Sequence, residues 1–161
     1  RIANNTVVVG DTTYTAHETL KVVAERFHAA LSAIQTGVNF YQIPFSERRQ
    51  HYSAVVQSIS NDYGEFLDGY FRNICFLLEF ATSAINKHTY VDFLKAQFTQ
   101  HECIILFYLV AGREGPLGNM QNLRDLGIMD GLHTINRRSL IIGLPSNEEF
   151  KHEIENVFCD Q

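Results

Sequence analysis

The sequence predicts a mostly α-helical bundle around two long antiparallel helices, with a small N-terminal β-hairpin. Three observations predict it. The stretch Tyr70 to Tyr108 holds two long apolar helical segments. A short polar break, Asn86-Lys87-His88, separates them, and a connection that short makes two helices antiparallel neighbours. Elsewhere, apolar residues recur at helical spacing and helix start signals precede them.

Taken in order, Asn5 to Tyr14 reads NTVVVGDTTY. Three valines, a Gly-Asp pair and a Thr-rich return predict the hairpin. Thr15 and Glu18 stand three apart as a capping box. Leu20, Val23, Ala24, Phe27, Leu31 and Ile34 then follow helical spacing, and Gly37 and Asn39 close the first helix. Pro44 opens the next, with Ser46 as the expected N-cap. Its first part, Glu47 to Ser60, is polar and is expected at the surface, with either a break near Asn61 or a helix that runs straight on. Beyond Phe66, the residues Leu67, Tyr70, Phe71, Ile74, Leu77, Leu78, Ala81 and Ile85 form an apolar stripe.

Thr89 and Asp92 resemble a capping box for the third helix. That helix is amphipathic up to Glu102 and apolar on all sides after it, so its second half is expected at the centre of the core. A Gly-rich loop from Gly112 to Gly118, a short helix from Met120 to Leu126 and an extended SLIIGLP run follow. Ser146 and Glu149 box the start of a last amphipathic helix that reaches about Phe158.

Composition narrows the function. A length of 161 residues fits one helical domain, 1–161. The net charge of −5 argues against a surface that coats nucleic acid. The three cysteines, Cys75, Cys103 and Cys159, lack CxxC spacing and read as free thiols in a reducing compartment. The seven histidines lack HExxH spacing, so neither a metal site nor a cofactor is expected. No signal peptide is evident. The longest unbroken apolar run, Cys103 to Ala111, is too short to cross a bilayer. The chain begins at Arg1, which is expected of the soluble part of a longer protein.

The polar residues of the two long helices are the candidate site. Asp68, Arg72 and Glu79 share one face, with Asp68 placed to pair with Arg72. Asp92, Lys95, Thr99 and Glu102 share one face of the third helix, at spacings of three and four. The bland reading is a pair of solvated faces or a cross-helix salt-bridge network. The functional reading is a polar groove lined by Arg72, Asn73, Lys95, Gln97 and Glu102. Glu102 stands where its helix turns apolar, and a buried carboxylate needs a partner. No residue is assigned a catalytic role.

Tyr70-Phe71-Arg72-Asn73, the apolar run to Phe80, Tyr90, Leu94-Lys95-Ala96-Gln97, Glu102, Leu106-Phe107-Tyr108, Leu123 and Leu126-Gly127-Ile128 together resemble the putative phage abortive infection family of bacterial proteins. The family-like core is 70–132. The resemblance implies a helical cytoplasmic domain of an anti-phage defence protein, tethered to the inner membrane through segments outside this chain. It implies a sensing or interaction module whose partner is a protein, a second copy or a phage component, and RNA is the weaker candidate. The family pattern carries Arg where Lys95 stands and often His where Phe76 stands. An Arg and a His on one face would resemble the catalytic pair of HEPN-type ribonucleases, but no His follows Arg72-Asn73 at that spacing. A HEPN-like ribonuclease and a ligand-binding helical domain are the alternatives.

Overall fold

The computed structural model describes residues 6–9, 11–34, 40–113, 118–130 and 147–158. The hairpin forms from β1 (Thr6–Val9) and β2 (Thr12–Thr15), antiparallel, with Val9 opposite Thr12 and Thr6 opposite Thr15. That register leaves two residues for the turn, the shortest common hairpin connection.

Thr15 ends β2 and caps α1 (Ala16–Ile34). Its backbone N–H and its hydroxyl both donate to Glu18 Oε2, at 2.9 and 2.8 Å, and the Glu18 N–H donates back to Thr15 Oγ1 at 3.3 Å. The predicted box is therefore complete, and those donors hold the Glu18 carboxyl below its ordinary pKa. Leu20, Val23, Ala24, Phe27 and Leu31 turn into the core. The predicted close of this helix at Gly37 and Asn39 lies outside the described residues.

A single-turn 3₁₀ helix, Phe40–Gln42, leads to α2 (Phe45–Ser83), which is 39 residues long, about 58 Å at 1.5 Å per residue. It runs straight through Asn61. Two expectations about its start are corrected. The cap is Pro44, whose carbonyl accepts from the N–H groups of Glu47 and Arg48, and Ser46 lies inside the helix. The stretch from Glu47 to Ser60 is not a surface segment: Arg48, Tyr52, Val55 and Ile59 are buried. They keep phase with Tyr63, Leu67, Tyr70, Ile74, Leu78 and Ala81, so one face is inside over the whole helix. The many polar residues on its other face hid that phase.

Further along, Leu77 and Ile85 are exposed, not part of the buried stripe. Ile85 sits in the turn that ends α2 and Leu77 faces sideways, out of phase with Ile74 and Leu78. α3 (Lys87–Gln97) starts at Lys87 with Asn86 as its cap, so the Thr89–Asp92 box does not form. The third helix is also not continuous. It ends at Gln97, the chain extends at Phe98 and Thr99, and α4 (Gln100–Ala111) begins anew. Thr99 and Glu102 make the capping box there. A Thr-x-x-Glu pattern within an amphipathic run is itself a start signal.

α4 is the centre of the core, as its composition predicts. Cys103 to Tyr108, Val110 and Ala111 are all buried, and it packs on α1 and α2. Phe27 stacks on Tyr108 with ring centroids 4.9 Å apart, and Tyr52 meets Phe107 edge-on at 5.7 Å. A 3₁₀ turn, Gly118–Gln121, and a short α5 (Asn122–Asp125) stand where one short helix was predicted. Gly127 closes this piece at a φ of 67°, the left-handed conformation that glycine adopts without steric cost. α6 (Asn147–Phe158) packs on α4 through Ile154, Val157 and Phe158. The SLIIGLP run and the Ser146–Glu149 box lie outside the residues described in that detail.

Candidate functional site

The predicted polar residues do not form one site by mutual pairing. Arg72 and Asn73 lie exposed on the outer face of α2. Arg72 has neither the ion pair with Asp68 that its spacing suggests nor any other among the described residues. Lys95 and Gln97 are exposed near the end of α3. The Lys95 ammonium comes within 3.1 Å of where a Cβ on Gly127 would stand, beside Asp130. Glu102 is half-buried, and its carboxylate accepts from the Thr99 N–H at 2.8 Å and the Thr99 hydroxyl at 2.7 Å. Those donors supply the partner that a buried carboxylate requires, and they make Glu102 first a helix-capping residue. Its charge still acts on its surroundings. Burial, with the Glu102 charge added, pushes the Cys103 thiol up to about 12, and it raises the Tyr70 phenol above its ordinary value in the same way.

A different feature stands out on the same two helices. Phe76, Leu77 and Phe80 on α2, Ile85 in the turn, and Tyr90 and Phe93 on α3 are large apolar side chains exposed to solvent. Phe76 is 67% exposed, Phe93 61% and Ile85 fully so. Leu77, Phe80, Ala81, Tyr90, Phe93 and Leu94 line an open groove of about 360 Å³ between the helices. Phe80 and Tyr90 meet edge-on across it, with centroids 5.4 Å apart. Large apolar side chains gathered in water on one part of a small helical protein make this groove the candidate surface. The sequence holds its signal. Once Ile74, Leu78 and Ala81 complete a helical stripe, Phe76, Leu77 and Phe80 are apolar residues in excess of what one buried face uses.

A second, polar cleft of about 300 Å³ lies where the start of α2 meets the end of α4, lined by Ser46, Arg49, Gln50, Ser53, Gln57 and Arg113. Its arginines serve the fold. Arg49 donates to the Arg113 carbonyl at 2.8 Å, and the Arg113 guanidinium lies over the Phe71 ring at 5.7 Å. Deeper, Arg48 and Glu153 form a buried ion pair that sequence reading missed, because the partners are far apart along the chain. Among the described residues no cluster of three or more His, Cys, Asp or Glu could hold a metal ion, and no helix is long and apolar enough to cross a membrane.

Residues 62–125 match the family model described as putative phage abortive infection protein. The match begins earlier than the expected core of 70–132 and ends at Asp125, before Leu126-Gly127-Ile128. It spans the second half of α2, α3, α4 and α5, and it contains every residue of the apolar groove. No curated protein and no solved structure matches the chain.

Proposed function

We propose, from the match of residues 62–125 to the model described as putative phage abortive infection protein, that this chain is the interaction module of an anti-phage defence protein. The observation that carries this reading is the apolar groove between α2 and α3, which lies wholly within the matched segment. Apolar side chains held in water by a helical framework favour a protein contact that buries them. Around the groove, Arg72 and Asn73 stand one turn before Phe76 and Leu77, and Lys95 and Gln97 follow Leu94. They would form the polar rim that fixes the partner's orientation. Glu102 contributes through the Thr99 cap, which sets where α4 begins. In this reading the module works in the cytoplasm, tethered to the inner membrane by segments outside this chain, and it transmits a phage-derived signal by contact and not by a reaction of its own.

The test is plaque formation on cells carrying the full-length gene, with matched expression confirmed. Phe80→Ser and Phe93→Ser, both surface changes, are expected to abolish protection while the protein stays folded. Arg72→Ala is expected to weaken it. Full protection in the two groove variants would overturn the reading.

A further inference from the structure

We infer that the partner seated on this apolar face is a second copy of the chain, packed antiparallel along the outer face of α2 about a two-fold axis beside Phe76; the inference rests on the contact reading above. Three observations lead to it.

The first is the arrangement of charge. Arg72 and Glu79 are both exposed and lie seven residues apart. At 3.6 residues per turn they fall within about 20° of each other around the helix. They therefore share one flank, with exposed Phe76 between them along the axis. A two-fold axis normal to two antiparallel helices keeps equivalent flanks side by side and reverses the order along the axis. Residue numbers that sum to 151 then meet, so Arg72 of each copy faces Glu79 of the other. One contact made twice is the mark of an isologous interface. Within one copy Arg72 makes no ion pair among the described residues, with Glu79 or any other.

The second is that Arg72 is the exposed guanidinium on this flank that has no ion pair or ring contact among the described residues. Like charges do not meet at the axis itself. In this register Phe76 lies half a residue from the axis, so Phe76 of one copy stands beside Phe76 of the other.

The third is area. Side chains of this size offer on the order of 200 Å² each when free. Weighted by their exposures, Phe76, Leu77, Phe80, Ile85, Tyr90 and Phe93 present roughly 700 Å². A standard interface takes about 800 Å² from each partner. Together these side chains offer close to one side of such an interface.

The experiment is sedimentation velocity on the 161-residue chain at tens of micromolar, with circular dichroism melts to confirm folding of each variant. The wild type is expected to dimerise. Arg72→Glu and Glu79→Arg are each expected to weaken the dimer about tenfold, since each places like charges opposite twice. An equimolar mixture of these two variants is expected to regain wild-type association as a heterodimer, because every cross-copy pair is then opposite in sign. Arg72→Glu combined with Glu79→Arg in one chain is expected to do the same. A monomeric wild type would overturn the inference. So would a dimer indifferent to both single reversals, or one that the mixture does not restore. If protection in cells still requires Phe80 and Phe93 while the chain is monomeric, the contact reading stands and the partner is a different protein. If the dimer forms as described and protection ignores the groove, the contact reading fails.

Discussion

Arg48 and Glu153 meet inside the protein across 105 residues of sequence. Arg48 Nε and Nη2 donate to the two carboxylate oxygens at 3.1 and 2.5 Å, and its third nitrogen donates to the Ile43 carbonyl at 2.6 Å. The Tyr52 hydroxyl donates to Glu153 Oε1 at 2.9 Å. Both side chains are almost fully buried, 7% and 2% exposed. The pair fastens α6 to the start of α2, and the guanidinium also lies over the rings of Tyr41 and Phe45. Removing one partner strands a buried charge, which costs about 3–5 kcal/mol. Glu153→Ala is expected to lower stability by that amount in urea unfolding, and Arg48→Ala by a similar amount. Replacing both by apolar residues of like volume, Arg48→Met with Glu153→Leu, is expected to recover most of the loss. Failure of either single change to destabilise would show that α6 does not rely on this pair.

Gly112 ends α4 against the backbone of α2. A Cβ there would stand 2.8 Å from the Tyr52 carbonyl oxygen and 2.7 Å from Val56 Cγ2. The obstacle is partly main chain, which cannot swing aside. Gly112→Ala is expected to cost about 1–3 kcal/mol, the usual range for overpacking. At Gly69 an added Cβ meets nothing within 4 Å, and Gly69→Ala, in the interior of an exposed helical turn, is expected to stabilise the monomer by up to about 1 kcal/mol. Thermal melts of the two variants should therefore move in opposite directions.

The elements most legible in the sequence were those whose signal is local. The Thr15–Glu18 box, the hairpin and the all-round apolar α4 follow from neighbouring residues alone. The errors arose where one signal masked another. Thr99 and Glu102 looked like two members of a polar stripe because the apolar pattern continues across the break, yet their spacing is a helix start. Arg48 looked like a surface residue because its partner, Glu153, lies on a helix that sequence spacing cannot bring to it. The apolar groove stayed hidden because an extra phenylalanine on a helix reads as core until the packing shows which face is full. The fold was therefore largely readable, and the candidate surface was not.

Cys103 offers a check that depends on pH. Burial first, and then the Glu102 charge, push its thiol from an ordinary 9.0 up to about 12. The fold carries no ionisation penalty from it below pH 9. Between 9 and about 12 the thiol ionises in the unfolded chain only, so its contribution to stability falls as pH rises. At pH 8 a thiol-specific disulfide reagent is expected to leave Cys103 untouched in the native protein and to label it on unfolding. Cys75 is half-buried, and its rise is partly opposed by Arg113. It is expected to react faster than Cys103, as mass analysis of the labelled sites in a Cys159→Ser background would show. Rapid native labelling of Cys103 would contradict its burial.

Glu102 permits a separation of structural from functional roles at one position. Its carboxylate caps α4 through the Thr99 N–H and hydroxyl. Glutamine also serves at this place in a capping box, whereas alanine does not. Glu102→Gln is expected to keep most of the stability, Glu102→Ala and Thr99→Ala to lose about 1 kcal/mol each, and the combination of the two alanines to lose less than the sum, because both remove the same cap. Melts of the four variants measure this directly. If phage protection follows stability across the set, so that Glu102→Gln protects as well as wild type, the residue acts by setting the start of α4. Loss of protection in a fully stable Glu102→Gln would instead assign its charge a role in contacting the partner or ligand, and would return Glu102 to the rim beside Lys95 and Gln97.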